Sequence, residues 1–208
     1  MYLLNQDAWI FPDTIGRLLA VNESRPDFAL LSPMQMNDGL AEMNRLFKAR
    51  VYPSGKKVSE GLLSVPFVMA AHWFLSRKCL ETVGLFSPLF HFYGEDDNYC
   101  ARVLYHGLKM GLVTDAPVVH DTGGRKQGKE RYIFRCVYTY ALHRFSDPLR
   151  NPFLQAVYVF LYSFYCCLKF GSLLPLKFVA MAFGKFRDAV RFRTESMSEG
   201  AFIKDEKV

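Results

Sequence analysis

The chain opens on a short apolar run, Tyr2-Leu3-Leu4, closed by the turn formers Asn5, Gln6 and Asp7, a pattern that predicts a strand ending before residue 5. Residues 14–21 set Ile15, Leu18 and Leu19 at helical spacing behind Asp13 or Thr14 as N-cap, and residues 28–31 read as a strand. From 35 to 61 the pattern turns polar, with Asn37, Asp38, Gly39, Pro53, Ser54 and Gly55, and predicts a long loop carrying one short helix. Long loops in compact domains are often functional. The nearly all-apolar run 66–75 predicts a buried strand, and 77–83 a short helix stopped at Gly84. Residues 96–106 predict a helix with Tyr99, Val103 and Leu104 inward and Gly107 as its stop; a strand over 109–114 follows, then Pro117, Val118, Val119 and His120. Alternating strands and helices predict an α/β class.

Past a glycine-rich basic loop, residues 132–145 form an aromatic helical pattern, and Pro148 with Asn151-Pro152 marks a boundary. Residues 153–168 carry no charge, yet the run is shorter than the roughly 20 residues needed to cross a bilayer, and Lys169 and Pro175 interrupt it. This segment is expected to lie on a membrane. Residues 177–193 mix Phe178, Val179, Met181, Phe183 and Phe186 with Lys185, Arg187, Arg191 and Arg193, the composition of a basic amphipathic helix. The organisation expected is a domain over 1–150, a membrane-associated helical tail over 151–195 and a disordered C-terminus over 196–208.

Composition narrows the classes. Half of the 208 residues are apolar and 15% are aromatic, which excludes a disordered chain and leaves apolar surface to be covered. The net charge of +6 is concentrated late in the chain, where basic residues alternate with large apolar ones; that favours an anionic lipid surface and speaks against nucleic acid as a partner. The five cysteines form no C-x-x-C pair and no regular spacing with histidine, so neither a zinc site nor a disulfide framework is indicated. The first residues lack a basic n-region and include Asp7, unlike a secretory signal. The expected location is the cytoplasmic face of a membrane, peripherally bound.

The chemistry concentrates in residues 70–120, AAHWFLSRKCLETVGLFSPLFHFYGEDDNYCARVLYHGLKMGLVTDAPVVH. An apolar strand is followed by a helix closing on Val-Gly-Leu-Phe, a Tyr-Gly-Glu-Asp-Asp cluster, an Arg-bearing helix with a Gly turn, and a strand closing on histidine. This ordered set resembles the second half of the family 2 glycosyltransferases, rhamnosyltransferase-like, and LNQD at residues 4–7 falls where those enzymes carry a D-x-D or N-x-D element. The resemblance implies a partial GT-A fold, three-layered with a mixed sheet and followed by hydrophobic and amphipathic helices. It also implies that the strands holding base and ribose would precede Tyr2. The reaction implied is inverting transfer of a sugar from a nucleotide-diphosphate donor to a hydroxyl of a glycan or lipid-linked acceptor, in cell-surface polysaccharide synthesis.

Direct displacement at an anomeric carbon needs a base for the acceptor proton and something to neutralise the departing diphosphate. By the family pattern Asp96 is the base and Glu95 tunes it. Read alone, Glu95, Asp96 and Asp97 cap a helix and suit its positive dipole end. Asp7 is the implied ligand of Mg²⁺ or Mn²⁺, with Asn5 departing from the doubly acidic form; its bland reading is an Asx turn. His120 is placed near metal or diphosphate by the resemblance, although a lone histidine is usually structural. Gly124 and Arg125 offer a backbone amide and a guanidinium to diphosphate oxygens, and otherwise belong to a solvated loop. Trp73, beside His72, suits a sugar face but is more commonly core. The competing reading is a non-catalytic glycosyltransferase-like protein that docks to a membrane or a partner enzyme.

Overall fold

The structure, a computed structural model, describes residues 1–37, 40–91, 93–121 and 128–203. It is an α/β protein with a mixed, open sheet of seven strands, and the chain divides into two compact units. Met1–Thr82 with His106–Arg125 form the first and Val83–Tyr105 with Lys126–Val208 the second.

The first unit holds the whole sheet. Its strands are β1 (Tyr2–Leu4), β2 (Ala8–Trp9), β3 (Phe28–Met36), β4 (Lys56–Ser59), β5 (Leu62–Val65), β6 (His72–Leu75) and β7 (Lys109–His120), in the order β1-β6-β3-β7-β5-β4 with β2 added against β7. The central pair, β3 and β7, is parallel; every other pairing is antiparallel. Burial on both faces explains why the 28–36 and 109–120 runs are almost continuously apolar. Helix α1 (Thr14–Ser24) seals one face by inserting Leu18 among Phe28, Leu31, Leu62, Phe74 and Val113, all buried. Helix α2 (Arg45–Arg50) is capped by Asn44, whose side-chain oxygen accepts from the Leu46 and Phe47 amides, and α3 (Arg77–Val83) follows β6.

Three elements differ from the sequence expectation. β7 runs unbroken to His120, because Pro33 and Pro117, which lack an amide donor, both sit at a register shift between β3 and β7 where the ladder is already irregular. The 66–75 run supplies only four strand residues, since 66–71 carries the chain from β5, beside β7, to β6, beside β3. The expected 35–61 loop contains α2 and also β4, paired with β5.

The second unit is helical: α4 (Glu95–Tyr105), α5 (Lys129–Phe134), a π-helical turn over Arg135–Thr139, α6 (Tyr140–Ser146), α7 (Pro152–Phe170), α8 (Leu174–Gly184) and α9 (Phe186–Glu195). Its core joins Ile133, Val137, Phe145, Val159, Phe178 and Val179, with Phe145 packed on the rings of Phe183 and Phe186. The residue-150 boundary falls inside this unit, at a corner where Arg193 donates to the carbonyls of Asp147 and Pro148 at 3.1 Å each. The 177–193 segment is two helices parted at Gly184–Lys185, and its Phe178, Val179, Ala182 and Ala189 are buried inside the protein. Of residues 196–208, those up to 203 are described; Ser196 and Ala201 are buried, and the Ala201 carbonyl accepts from the Leu85 amide at 2.9 Å. A β-carbon on Gly84 would stand 1.8 Å from that carbonyl oxygen, so the glycine of Val-Gly-Leu-Phe is required for this approach.

Candidate functional site

The residues marked by the sequence divide between the two units. In the first, β2 pairs with the end of β7 so that Ala8 lies opposite His120, and the Asp121 amide donates to the Asp7 carbonyl at 3.0 Å. This short ladder brings residues 113 positions apart into one place: Asp7 Oδ2 stands 3.7 Å from His120 Nε2, both side chains largely buried. Asn44 donates to the His120 carbonyl at 3.1 Å, fixing the strand end from the side of α2.

The His120 ring is oriented by Gln35, a residue the sequence reading left without a role. The Gln35 amide nitrogen donates to the Met69 carbonyl at 3.2 Å, so its Oε1 faces His120 Nδ1 at 3.1 Å and must accept. Nδ1 therefore carries a proton, and Nε2 faces the Asp7 carboxylate, as a lone pair in the neutral ring or as the second N–H of an imidazolium paired with Asp7. The neutral ring with the carboxylate is an arrangement that can take a cation between the two atoms. Carboxylate oxygen with imidazole nitrogen, the latter held by a hydrogen bond through its other nitrogen, is a donor set better suited to Mn²⁺ than to the harder Mg²⁺, with the remaining oxygens coming from phosphate. Among the described residues no group of three or more His, Cys, Asp or Glu side chains is arranged to hold a metal ion alone. The signal for Gln35 was present as a polar residue inside the apolar run of β3.

Behind His120 lies a second histidine. His72 is fully buried on β6; its Nε2 donates to the Val119 carbonyl at 3.0 Å, and its Nδ1 accepts from the Tyr2 hydroxyl at 2.9 Å. Burial, with the neighbouring His120 adding to it, pulls its pKa down to about 4 although the Val119 carbonyl and Asp7 oppose the change. Burial likewise raises the Tyr2 phenol well above its ordinary range. His72 is thus a neutral strut joining β1, β6 and β7, and Trp73 beside it is fully buried core.

In the second unit Glu95, Asp96 and Asp97 form the first turn of α4, each half-buried. Asp96 Oδ1 accepts from the Asp97 amide at 2.9 Å, and one oxygen of Glu95, Oε2, is buried with no hydrogen-bond partner. The chain enters this turn through Tyr93 at φ +69° and Gly94 at φ +88°. A left-handed tyrosine is strained, and such strain concentrates at functional positions. The Tyr93 ring is held by the Arg135 guanidinium at 4.2 Å, from the first residue of the π turn, a feature itself often found at functional sites. From the C-terminal side, buried His143 has its pKa lowered by desolvation, which Asp97 and Asp147 oppose.

Two motif residues are structural. Arg102 of α4 is wholly buried and donates to the carbonyls of Val83 and Leu85, the latter at 2.6 Å, with its guanidinium 4.8 Å from the Phe202 ring. Tyr99 donates to the Gly84 carbonyl at 3.0 Å. Both tie the Val-Gly-Leu-Phe segment to the helix that bears the acids. The expected diphosphate-binding residues Gly124 and Arg125 lie outside the described residues. No protein-family model matches the chain, and no curated protein matches it.

Proposed function

We propose that the protein is an inverting glycosyltransferase of the GT-A, family 2 type, moving a sugar from a nucleotide-diphosphate donor to a hydroxyl of a glycan or lipid-linked acceptor. What carries the reading is the Asp7 and His120 pair: two residues of separate motifs, 3.7 Å apart, with the imidazole Nε2 turned toward the carboxylate by the Gln35 contact to Nδ1. The strained Tyr93-Gly94 entry to the acidic turn supports it from the second unit.

In this mechanism Asp7 and His120 would hold a divalent cation, and Gln35 keeps the His120 ring in the orientation that allows it. Such an ion would supply positive charge against the departing diphosphate. Asp96 accepts the proton of the acceptor hydroxyl while its oxygen attacks the anomeric carbon; the bond from that carbon to the diphosphate oxygen breaks, and configuration inverts. The hydrogen bond from the Asp97 amide fixes the Asp96 rotamer, and Glu95 sits beside it at the helix start, where the backbone dipole favours negative charge.

Replacing Asp96 with Asn preserves size and the ability to accept from the Asp97 amide, so the helix start should survive while the base is lost. D96N is expected to lower transfer by at least about 100-fold with unchanged circular dichroism. Full transfer by D96N would remove Asp96 from the role of base.

A further inference from the structure

Helix α7 is apolar on both faces. Its inward face carries Val159, Ser163 and Cys166, all wholly buried, while Phe153, Leu154, Phe160, Leu161, Phe164 and Leu168 point outward. At 100° per residue these outward side chains fill an unbroken arc of about a third of the helix circumference, which Tyr158, Tyr165 and Lys169 widen to about half. Leu168 is 84% exposed and Leu173, in the turn to α8, is 75% exposed. An apolar surface of this extent on a soluble face needs an occupant.

Charge names that occupant. From residue 148 to 187 there is no Asp or Glu, and Lys169, Lys177 and Arg187 are exposed, while Arg150 and Lys185, also exposed, pair with Asp147 and Asp188 at the two ends of that stretch, at 2.9 and 3.5 Å. A second copy seated face to face would set these like charges against each other, whereas anionic headgroups complement them. One border of the apolar arc carries Tyr158, Tyr165 and Lys169, side chains with apolar stems and polar tips, the Lys169 ammonium 6.0 Å from the Tyr165 ring centroid. The Arg144 guanidinium lies 4.7 Å from the Tyr158 ring along the same border. Because the other half of α7 packs against α6 and α8, the helix offers lipid one face only and lies in the membrane plane.

We propose that α7 is the membrane seat of this protein: its outward apolar face enters the interface of an anionic bilayer and the flanking lysines and arginines meet the headgroups. The seat is therefore α7, and the α8 and α9 segment, whose Phe178, Val179, Ala182 and Ala189 are buried while Met181 and Phe183 stay exposed, contributes charge. The inference rests on α7 and the basic residues around it and stands apart from the donor-site reading, whose failure would leave it intact.

The test is flotation of the full-length chain with vesicles of phosphatidylcholine alone and of phosphatidylcholine with roughly one-third phosphatidylglycerol. The native chain should float with both and more strongly with the anionic vesicles. L161D/F164D, changed only at exposed positions and checked by circular dichroism, should lose at least about tenfold in vesicle partitioning. K169Q/K177Q should keep its binding to neutral vesicles while losing part of the anionic preference. Undiminished flotation of L161D/F164D overturns the proposal. So does a native chain that fails to float but self-associates through the same two residues, for then a second copy covers the face.

Discussion

His72 shows how one buried side chain shapes the solution behaviour of the protein. Its folded pKa of about 4 lies below the ordinary 6.5, so the native state disfavours its protonated form. The stability this contributes is present above about pH 6.5 and is lost as the pH falls through 4, amounting to on the order of 3 kcal/mol. His143, lowered in the same direction, adds to the slope. Urea-unfolding midpoints should therefore fall between pH 7 and pH 4, and H72Q should flatten that dependence without abolishing it. An unchanged slope in H72Q would show that His72 is not the titrating group. The loss is separate from that of Asp27, whose carboxyl is held down to about 2 by its hydrogen bonds to Arg25 and Lys109 and which titrates at lower pH.

At the scale of elements, α4 does two jobs with its two ends. Its first turn presents the acids, and its buried Arg102 fastens the Val83–Leu85 carbonyls. Replacing Arg102 by Met removes those donors and leaves carbonyls buried, a loss of about 3 kcal/mol that should appear as a lowered urea midpoint. R102K should recover only part of it, because an ammonium cannot reproduce the planar fork. A midpoint unchanged in R102M would contradict the role. The existence of α3 and α4 was legible in the sequence because each ends on a stop, Gly84 and Gly107, and that of α1 because its helical spacing follows Asp13 or Thr14 as N-cap. The unbroken β7 was not, since Pro117 reads as a strand end unless the register shift beside β3 is known. Nor was the outward face of α7: composition identifies an apolar helix, but only packing decides that Ser163 goes in and Leu161 out. Asp7, His120, Glu95 and Asp96 could be singled out from motif order; that Asp7 comes beside His120 and that Gln35 faces it could not, because both depend on which strands lie beside β7.

For the molecule as a whole, the proposed chemistry rests on charge neutralisation at Asp7 and His120 and on proton acceptance at Asp96. Neither role follows from fold class alone, because α/β proteins with mixed sheets serve many reactions. The reading therefore stands on what Asp7 and His120 do when a divalent ion and a diphosphate are supplied. The non-catalytic docking alternative accommodates the vesicle result and makes the opposite prediction here. The decisive measurement is titration of the native chain with Mn²⁺ in the presence of inorganic pyrophosphate, a probe that carries the diphosphate without any nucleotide base, beside D7N and H120A. The account predicts that Mn²⁺ and pyrophosphate bind together and that either substitution weakens this by at least about tenfold with the fold retained. Native protein that binds no Mn²⁺ with pyrophosphate, or variants that bind it equally well, would contradict it.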